Sequence, residues 1–522
     1  MAGQFLGAAL IAAALTLGTA SFAHAASGKD ISAHGNDHGA AACSLCHGPL
    51  GEGQPQSGFP RLAGLDAGYI AHQLASFANG TRQNAIMVPI AKALSDKDRQ
   101  AVATYFAGLN PPQPKGEEQP SPAMFAAGAE LAQRGEWSKG VPACSQCHGP
   151  DGIGVGSAFP KLAGQSAIYI ASQLTSWKKG ERRNDPLGLM AGVASKLDDN
   201  EIRAVAAYYT GLPLAAANMP AKNMPAATPS VAPAAPKAAK PPAEHAAFTP
   251  PPESAIPNDQ FGDMVRLGEA IFHDTQHNAA SFVGNKLQCS NCHLDRGRLA
   301  DSAPLWAAYV AYPAYRSKNK HVNTFEERLQ GCFRFSMNGK VPPTGDKVLV
   351  ALQTYAYFLA KGAPTGADLP GRGYPKLKKP AKPLDYAHGQ QVYAQHCALC
   401  HGADGQGQSS AQGQIMFPPL WGAHSFNWGA GMGSIKNAAA FIKANMPLGQ
   451  GGTLSDQDAW DVATYIDSQE RPQDPRFTGS VAETRKKYHD SAMSMYGKTV
   501  NGVLLGKNSP PSGTVPSAKS KR

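Results

Sequence analysis

Apolar residues recur at helical spacing in four well-separated stretches: AVATYFAGL at 101–109, AVAAYYTGL at 204–212, VLVALQTYAYFLAKG at 348–362 and DAWDVATYIDSQ at 458–469. Each reads as an amphipathic helix with one buried face. Two further helices are predicted ahead of the last two, VRLGEAIF at 265–272 and HGQQVYAQH at 388–396. In each of these a glycine and an aromatic stand one turn apart, Gly268 with Phe272 and Gly389 with Tyr393. A glycine at such a place lets a second helix cross at close range while the aromatic packs beside it. The chain is therefore expected to be all-α.

The first half repeats itself with a period of about one hundred residues. Cys43-Ser-Leu-Cys-His47 is echoed by Cys144-Ser-Gln-Cys-His148, FPRLAG at 59–64 by FPKLAG at 159–164, and Tyr69 and Gln73 by Tyr169 and Gln173. From Pro213 to Pro257 the composition shifts, with 12 Pro and 15 Ala in that stretch alone. Such a segment lacks the apolar side chains for a core and is predicted to be an extended tether between two halves.

The chain opens on an apolar run ending at Ala23-His24-Ala25, with no Lys or Arg before it. The run is too short for the roughly 20 apolar residues of a membrane span, so it is read as a cleaved export signal. The mature protein is expected in the periplasm with no transmembrane segment. The formal charge is +10, but nine Lys or Arg stand against Glu483 and Asp490 between 476 and 522, so most of the excess sits in a basic C-terminal tail. That tail is read as a solvated terminus, and nothing else points to nucleic acid.

Nine cysteines cannot close a disulfide framework completely, although an exported chain meets an oxidising compartment. Eight of them form four Cys-x-x-Cys pairs, each followed at once by histidine: Cys43, Cys46 and His47; Cys144, Cys147 and His148; Cys289, Cys292 and His293; Cys397, Cys400 and His401. This is the signature of covalent haem attachment, in which two thiols bond the haem and the histidine reaches the iron. Four covalently bound haem c groups are expected. A large apolar macrocycle would also complete the core of domains of about 90 residues with few aromatics of their own.

The expected divisions are a signal at 1–26, cytochrome c-like domains at 27–112 and 113–212, a linker at 213–257, domains at 258–370 and 371–475, and the tail at 476–522. The architecture is thus four class I cytochrome c-like domains in two tandem pairs joined by a Pro/Ala-rich linker. For the second axial ligand, Met87 lies 40 residues after His47, Met190 42 after His148 and Met446 45 after His401. Met416 and Met432 are less well placed.

After His293 two candidates compete, the ninth cysteine, Cys332, 39 residues on, and Met337, 44 residues on. Spacing slightly favours the methionine. A lone cysteine in an exported protein is nevertheless a hazard unless buried, metal-bound or used, and Cys332 is flanked by Arg328 and Arg334. From Asp295 to Lys340 eight Lys or Arg, Lys318 among them, stand against four carboxylates. Positive charge favours a thiolate and draws anions to a cleft.

At these residues a resemblance becomes specific. The segment from Trp306 through YPAYRSKNKHVNTFEERLQGCFRFSMNG, followed by FPPLWG, SFNWGAGM and FIKANMPLGQGGTLSDQDAWDVATYI, resembles the dihaem thiosulfate dehydrogenases that form tetrathionate. The first half resembles dihaem c4-type cytochromes, and the fused arrangement resembles such an enzyme joined to its own electron-acceptor subunit. The resemblance implies that Cys332 is the catalytic thiol and distal haem ligand, that Arg328, Ser336 and Arg316 line the substrate pocket, and that Met446 ligates the last haem. In some members a lysine directly precedes that methionine; here the position is Asn445, and Lys443 lies two residues further back.

The implied reaction joins two thiosulfates to tetrathionate and passes electrons to an external acceptor such as a small cytochrome c, a high-potential iron–sulfur protein or a terminal oxidase. Two rivals remain, a non-catalytic tetrahaem relay and a sulfur-carrier cytochrome.

Overall fold

The computed structural model describes residues 27–111, 120–214, 247–316, 320–410 and 412–513. The expected export signal, most of the expected linker and Lys318 lie outside these residues.

Each of four domains is built on one pair of crossing helices. The opening helices are Gly28–His34, Pro122–Arg134, Gln260–His273 and Tyr386–His396; the closing helices are Asp96–Ala107, Asp199–Gly211, Lys347–Leu359 and Asp456–Asp467. The closing helices start where a side-chain oxygen meets free backbone N–H groups. Ser95, Asp198 and Ser455 form capping boxes with Asp98, Glu201 and Asp458, and the Asp346 side chain accepts from the N–H of Val348.

The crossing depends on glycine in all four domains. A Cβ on Gly28 would stand 2.1 Å from the carbonyl oxygen of Ala101, on Gly128 2.0 Å from that of Ala204, on Gly268 2.1 Å from that of Ala351, and on Gly389 2.0 Å from that of Asp461. The neighbouring aromatics pack as expected, with the rings of Phe272 and Tyr355 6.1 Å apart and those of Tyr393 and Tyr465 5.4 Å apart. Gly28 and Gly128 were not singled out from sequence because Ser32 and Ala132 stand where the aromatics would be.

Gly389→Ala is a decisive test. Helix propensity alone favours alanine by about 1 kcal/mol, whereas forcing a methyl into backbone costs about 1–3 kcal/mol or more. The variant is expected to lower the thermal midpoint of the fourth domain, followed by circular dichroism of the holoprotein. A midpoint that rises would show that the crossing tolerates a side chain.

Each crossing anchors its own apolar core, around Phe106, Tyr209, Trp306 with Tyr355, and Trp460 in chain order. The strands among the described residues are short two-stranded hairpins: Ala314–Arg316 with His321–Asn323, Gln408–Ser409 with Ile415–Phe417, and Thr499–Val500 with Val503–Leu504. The structure is helical in its framework, as the sequence predicts.

The domains are bound to one another by specific contacts. Between the first and second, Arg82 and Arg182 are buried, each at 5% exposure or less. They share Gln73 and Gln173 as acceptors at 2.6–3.0 Å, related by the same repeat that relates the sequences. Between the second and fourth, the rings of Phe159 and Phe417 lie 5.0 Å apart and Lys196 donates to the Gly449 carbonyl at 3.1 Å. Glu269 of the third domain pairs with Arg134 of the second at 3.3 Å.

Two expected boundaries move. Residues 247–257, assigned to the tether, belong to the third domain: Phe248 stacks 5.5 Å from Trp306, and Arg298 bonds the Pro250 carbonyl at 3.4 Å. The basic tail is not a solvated terminus through residue 513. It forms the helix Val481–Tyr488 and a hairpin, with Tyr496 fully buried and packed 5.5 Å from Trp428. Its charge is locally answered, since Asp474 takes Arg476 at 2.7 Å and His489 at 2.9 Å, and these partners hold the Asp474 carboxyl below the usual range against its burial.

Candidate functional site

Three of the Cys-x-x-Cys-His motifs coil as a single helical turn, Ser44–His47, Ser145–His148 and Ala398–His401; the other, Cys289–Asn291, is a tighter 3-10 turn. In all four the histidine Nδ1 donates to a carbonyl: His47 to Pro60 at 2.9 Å, His148 to Pro160 at 2.9 Å, His293 to Ala303 at 2.7 Å and His401 to Pro418 at 2.9 Å. That bond fixes the tautomer and leaves Nε2 with its lone pair free for a metal. Burial also depresses all four imidazoles, His293 to about 4, so they are held neutral.

Burial pushes the Cys43 and Cys144 thiols up to about 11 and those of Cys289, Cys292, Cys397 and Cys400 to about 12. None of the nine cysteines forms a disulfide, and no cluster of three or more His, Cys, Asp or Glu occurs among the described residues. Paired, half-buried thiols beside an oriented neutral imidazole fit covalent haem c.

Met87 and Met190 begin equivalent helices, Met87–Lys92 and Leu189–Ala194. Each is pinned by a side chain ahead of it, the Asn84 carboxamide oxygen accepting from the Met87 N–H at 2.9 Å and the Asp185 carboxylate from that of Met190. Met446 follows the helix Ile435–Asn445, and its side chain lies against the core of the fourth domain. Asn445, 6% exposed, donates to the carbonyls of Phe441 at 3.1 Å and Asp301 at 3.2 Å. Lys443 is tied to the Gly452 carbonyl at 3.2 Å and to Asp456 at 3.4 Å. Both side chains are thus engaged by partners of their own. Met416 is drawn into the contact with the second domain, and Met432 lies between the third and fourth cores.

The third domain differs in backbone as well as in residue. The helix Phe325–Gly331 gives way at Cys332 to a π-helical turn, Cys332–Ser336, in which the Met337 N–H bonds the Cys332 carbonyl at 2.9 Å. Single π turns recur at functional sites. This one sends Met337 into the apolar core at 3% exposure, while Cys332 stays half-buried. The turn is clamped from both sides: Asn285 donates to the Ser336 carbonyl at 2.7 Å, and Asn427 of the fourth domain to the Arg334 carbonyl at 2.9 Å.

Arg328 donates from Nη1 to the Cys332 sulfur at 2.7 Å. The negative charge available at that sulfur is the largest cause raising the Arg328 guanidinium above its ordinary value. Arg316, on the hairpin opposite, is lowered by burial and then by Arg328, so two cations converge on one thiol. Cys332 also lies near its attachment turn, adding to burial in raising the Cys289 and Cys292 thiols. Arg334 is exposed and lies over the Phe335 ring at 5.4 Å; of the two arginines flanking Cys332 in sequence, only Arg328 turns toward it.

Tyr374 was missed from sequence. Its phenol is raised by burial and by the nearness of Cys292 and Cys332, and its ring meets Phe441 of the fourth domain at 5.5 Å. The available signal was a lone aromatic in the Gly-, Pro- and Lys-rich segment between two domains.

Comparison with known proteins agrees with this arrangement. The cytochrome c family matches residues 32–110 and 125–212, and the family described as cytochrome c oxidase, cbb3-type, subunit III matches 384–466. A thiosulfate dehydrogenase of Thiomonas intermedia (strain K12) is 64% identical over 261 residues, 50% of this chain and 83% of that protein. A thiosulfate dehydrogenase electron acceptor of the same organism is 50% identical over 177 residues, 34% of this chain and 80% of that protein. The solved thiosulfate dehydrogenase of Marichromatium purpuratum covers 92% of this chain and 99% of its own at 45% identity, with a TM-score of 0.82. With that identity through its second half and that likeness along nearly its whole length, the chain belongs to the thiosulfate dehydrogenase family.

Proposed function

We propose that the protein oxidises thiosulfate to tetrathionate at Cys332 and passes the electrons through its cytochrome domains to an external acceptor. The observation that carries this reading is the 2.7 Å contact of Arg328 with the Cys332 sulfur, on a π turn facing the Cys289 and Cys292 attachment turn.

Four haem c groups would be held, by Cys43, Cys46, His47 and Met87; by Cys144, Cys147, His148 and Met190; by Cys289, Cys292, His293 and Cys332; and by Cys397, Cys400, His401 and Met446. Haem c bound there supplies one-electron acceptors, and thiolate ligation at one site with thioether ligation at the others favours electron flow away from Cys332.

Two thiosulfate dianions must meet, and Arg328 and Arg316 offset their repulsion in a site partly closed to water. Arg328 also meets the Cys332 sulfur directly, at 2.7 Å. In the first step a sulfur–sulfur bond forms between the Cys332 thiolate and the outer sulfur of one thiosulfate, with loss of two electrons. In the second, another thiosulfate attacks the sulfur that carries the sulfonate, closing tetrathionate and releasing the Cys332 thiolate. Two thiosulfates thus give one tetrathionate and two electrons. Ser336 lines the same turn, its carbonyl held by Asn285.

The exit runs through the fourth domain to the second, whose attachment turns abut around Cys400 and Cys147 beside the Phe159–Phe417 contact. Location in the periplasm is supported by the apolar run at 1–26 and by the haem-attachment motifs; no described helix is long and apolar enough to cross a membrane.

Thiosulfate added to the oxidised holoprotein is expected to reduce its haems, seen in their absorbance, with one tetrathionate formed for every two electrons. Absence of reduction would leave the chain a relay.

A further inference from the structure

The face of the second domain that carries Cys147 is covered. Val155, Phe159 and Leu189 pack there against Phe417, Leu399 and Cys400 of the fourth domain. The internal repeat gives these residues counterparts in the first domain: Gln54 for Val155, Phe59 for Phe159, Ile86 for Leu189 and Cys46 for Cys147.

The correspondence is geometric as well. Phe59 and Phe159 each lie 6.4 Å from the ring of their histidine, His47 and His148, and each forms a bridge to its counterpart position, Gln54 and Val155. In the first domain, however, the face is open. Leu45, inside the attachment motif, is 72% exposed, Ile86 50% and Leu50 49%, and no described residue covers them. Single exposed apolar side chains are ordinary. Here Ile86 stands on the copy of a face that the other copy buries against a cytochrome domain, and Leu45 and Leu50 extend it along the attachment turn, where the second copy has the polar Gln146 and Asp151.

We propose that this face of the first domain docks an external c-type cytochrome, which presents the edge carrying its own attachment motif as the fourth domain does to the second. The occupant follows from the internal interface, where the same surface already takes a cytochrome domain. Around the apolar residues Ser44, Gln54 and Asn84 carry no charge and Glu52, which accepts from the Leu50 N–H at 2.8 Å, carries one, so affinity comes chiefly from apolar contact, as suits a small transient interface. One electron passes in each encounter, the first domain being oxidised and the partner reduced, and two encounters clear one turnover. This extends the proposed function by naming its exit, and its test needs no thiosulfate.

The full-length holoprotein, reduced with ascorbate, is mixed by stopped flow with an oxidised small monohaem cytochrome c. The double variant Leu45→Glu with Leu50→Glu is expected to slow the second-order rate at least about tenfold, the effect of losing ~1.4 kcal/mol at the encounter. Haem content and reoxidation by ferricyanide stay as in the parent. Leu45→Gln, which gives the first motif the CSQCH of the second, falls between the two and guards against a folding defect. Line broadening of the isotope-labelled cytochrome on adding the parent protein is lost with the double variant.

An unchanged rate overturns the proposal. So does a steep fall of the parent rate with salt, or a parent dimer that Leu45→Glu dissociates, since the occupant is then a second copy. Slowing confined to an iron–sulfur acceptor also overturns it.

Discussion

The Cys332→Gly protein is expected to carry its full complement of attached haem and not to turn over thiosulfate. The haem-bonding thiols and histidines are untouched, and the π turn is held by Asn285 and Asn427 through backbone carbonyls, not through the Cys332 side chain. What disappears is the atom that bonds the first thiosulfate. Removing a nucleophile from a covalent mechanism typically costs about 10⁴-fold or more in rate. Cys332→Met separates the two duties of the sulfur, because a thioether can ligate iron but cannot form and release a sulfur–sulfur adduct. Both variants are checked by haem stain, absorbance and steady-state oxidation. Residual activity above a tenth of the parent's in either one would sink the thiol mechanism while leaving the fold and the electron path standing.

Arg328→Gln is expected to have the next largest effect, a fall in kcat/KM of about 10²–10³-fold, as when one preorganised donor is removed from a charged transition state. The guanidinium both touches the sulfur and meets the incoming dianions, so kcat falls and KM rises together. Arg328→Lys keeps the charge but loses the planar fork, and recovers only part of the loss. Steady-state kinetics over a range of thiosulfate concentrations separates these outcomes. An unchanged KM with unchanged kcat would remove Arg328 from the site. Arg334→Gln, on the exposed side of the same turn, serves as the comparison and leaves both constants near those of the parent.

The four attachment sites were legible because their chemistry is local, five consecutive residues carrying two thiols and an imidazole. Cys332 was legible by remainder, and Arg328 because four residues back along a helix is the same face. The π turn was not, since an extra residue in the hydrogen-bond register has no side-chain signature. It turns Met337 into the core and leaves Cys332 half-buried, two residues that spacing left nearly even. The folded segment after 475 was hidden for another reason. Its charges are visible in one stretch, but the partners of its apolar residues are remote, Tyr496 packing on Trp428 and the Ser509 hydroxyl accepting from the Trp428 indole at 2.9 Å. The contact between Phe159 and Phe417 spans more than half the described sequence and leaves no trace in either neighbourhood.

The four glycine crossings also set an order of events in folding. In every domain the opening helix and the attachment motif precede the closing helix, which begins about 60 residues after the opening helix ends. The crossing forms only when both helices are present, and nothing wider than a bare backbone fits it. Each haem pocket therefore stays open for attachment until its own closing helix docks. The site around Cys332 is completed last of all, because Asn427, which clamps its π turn, belongs to the domain that follows.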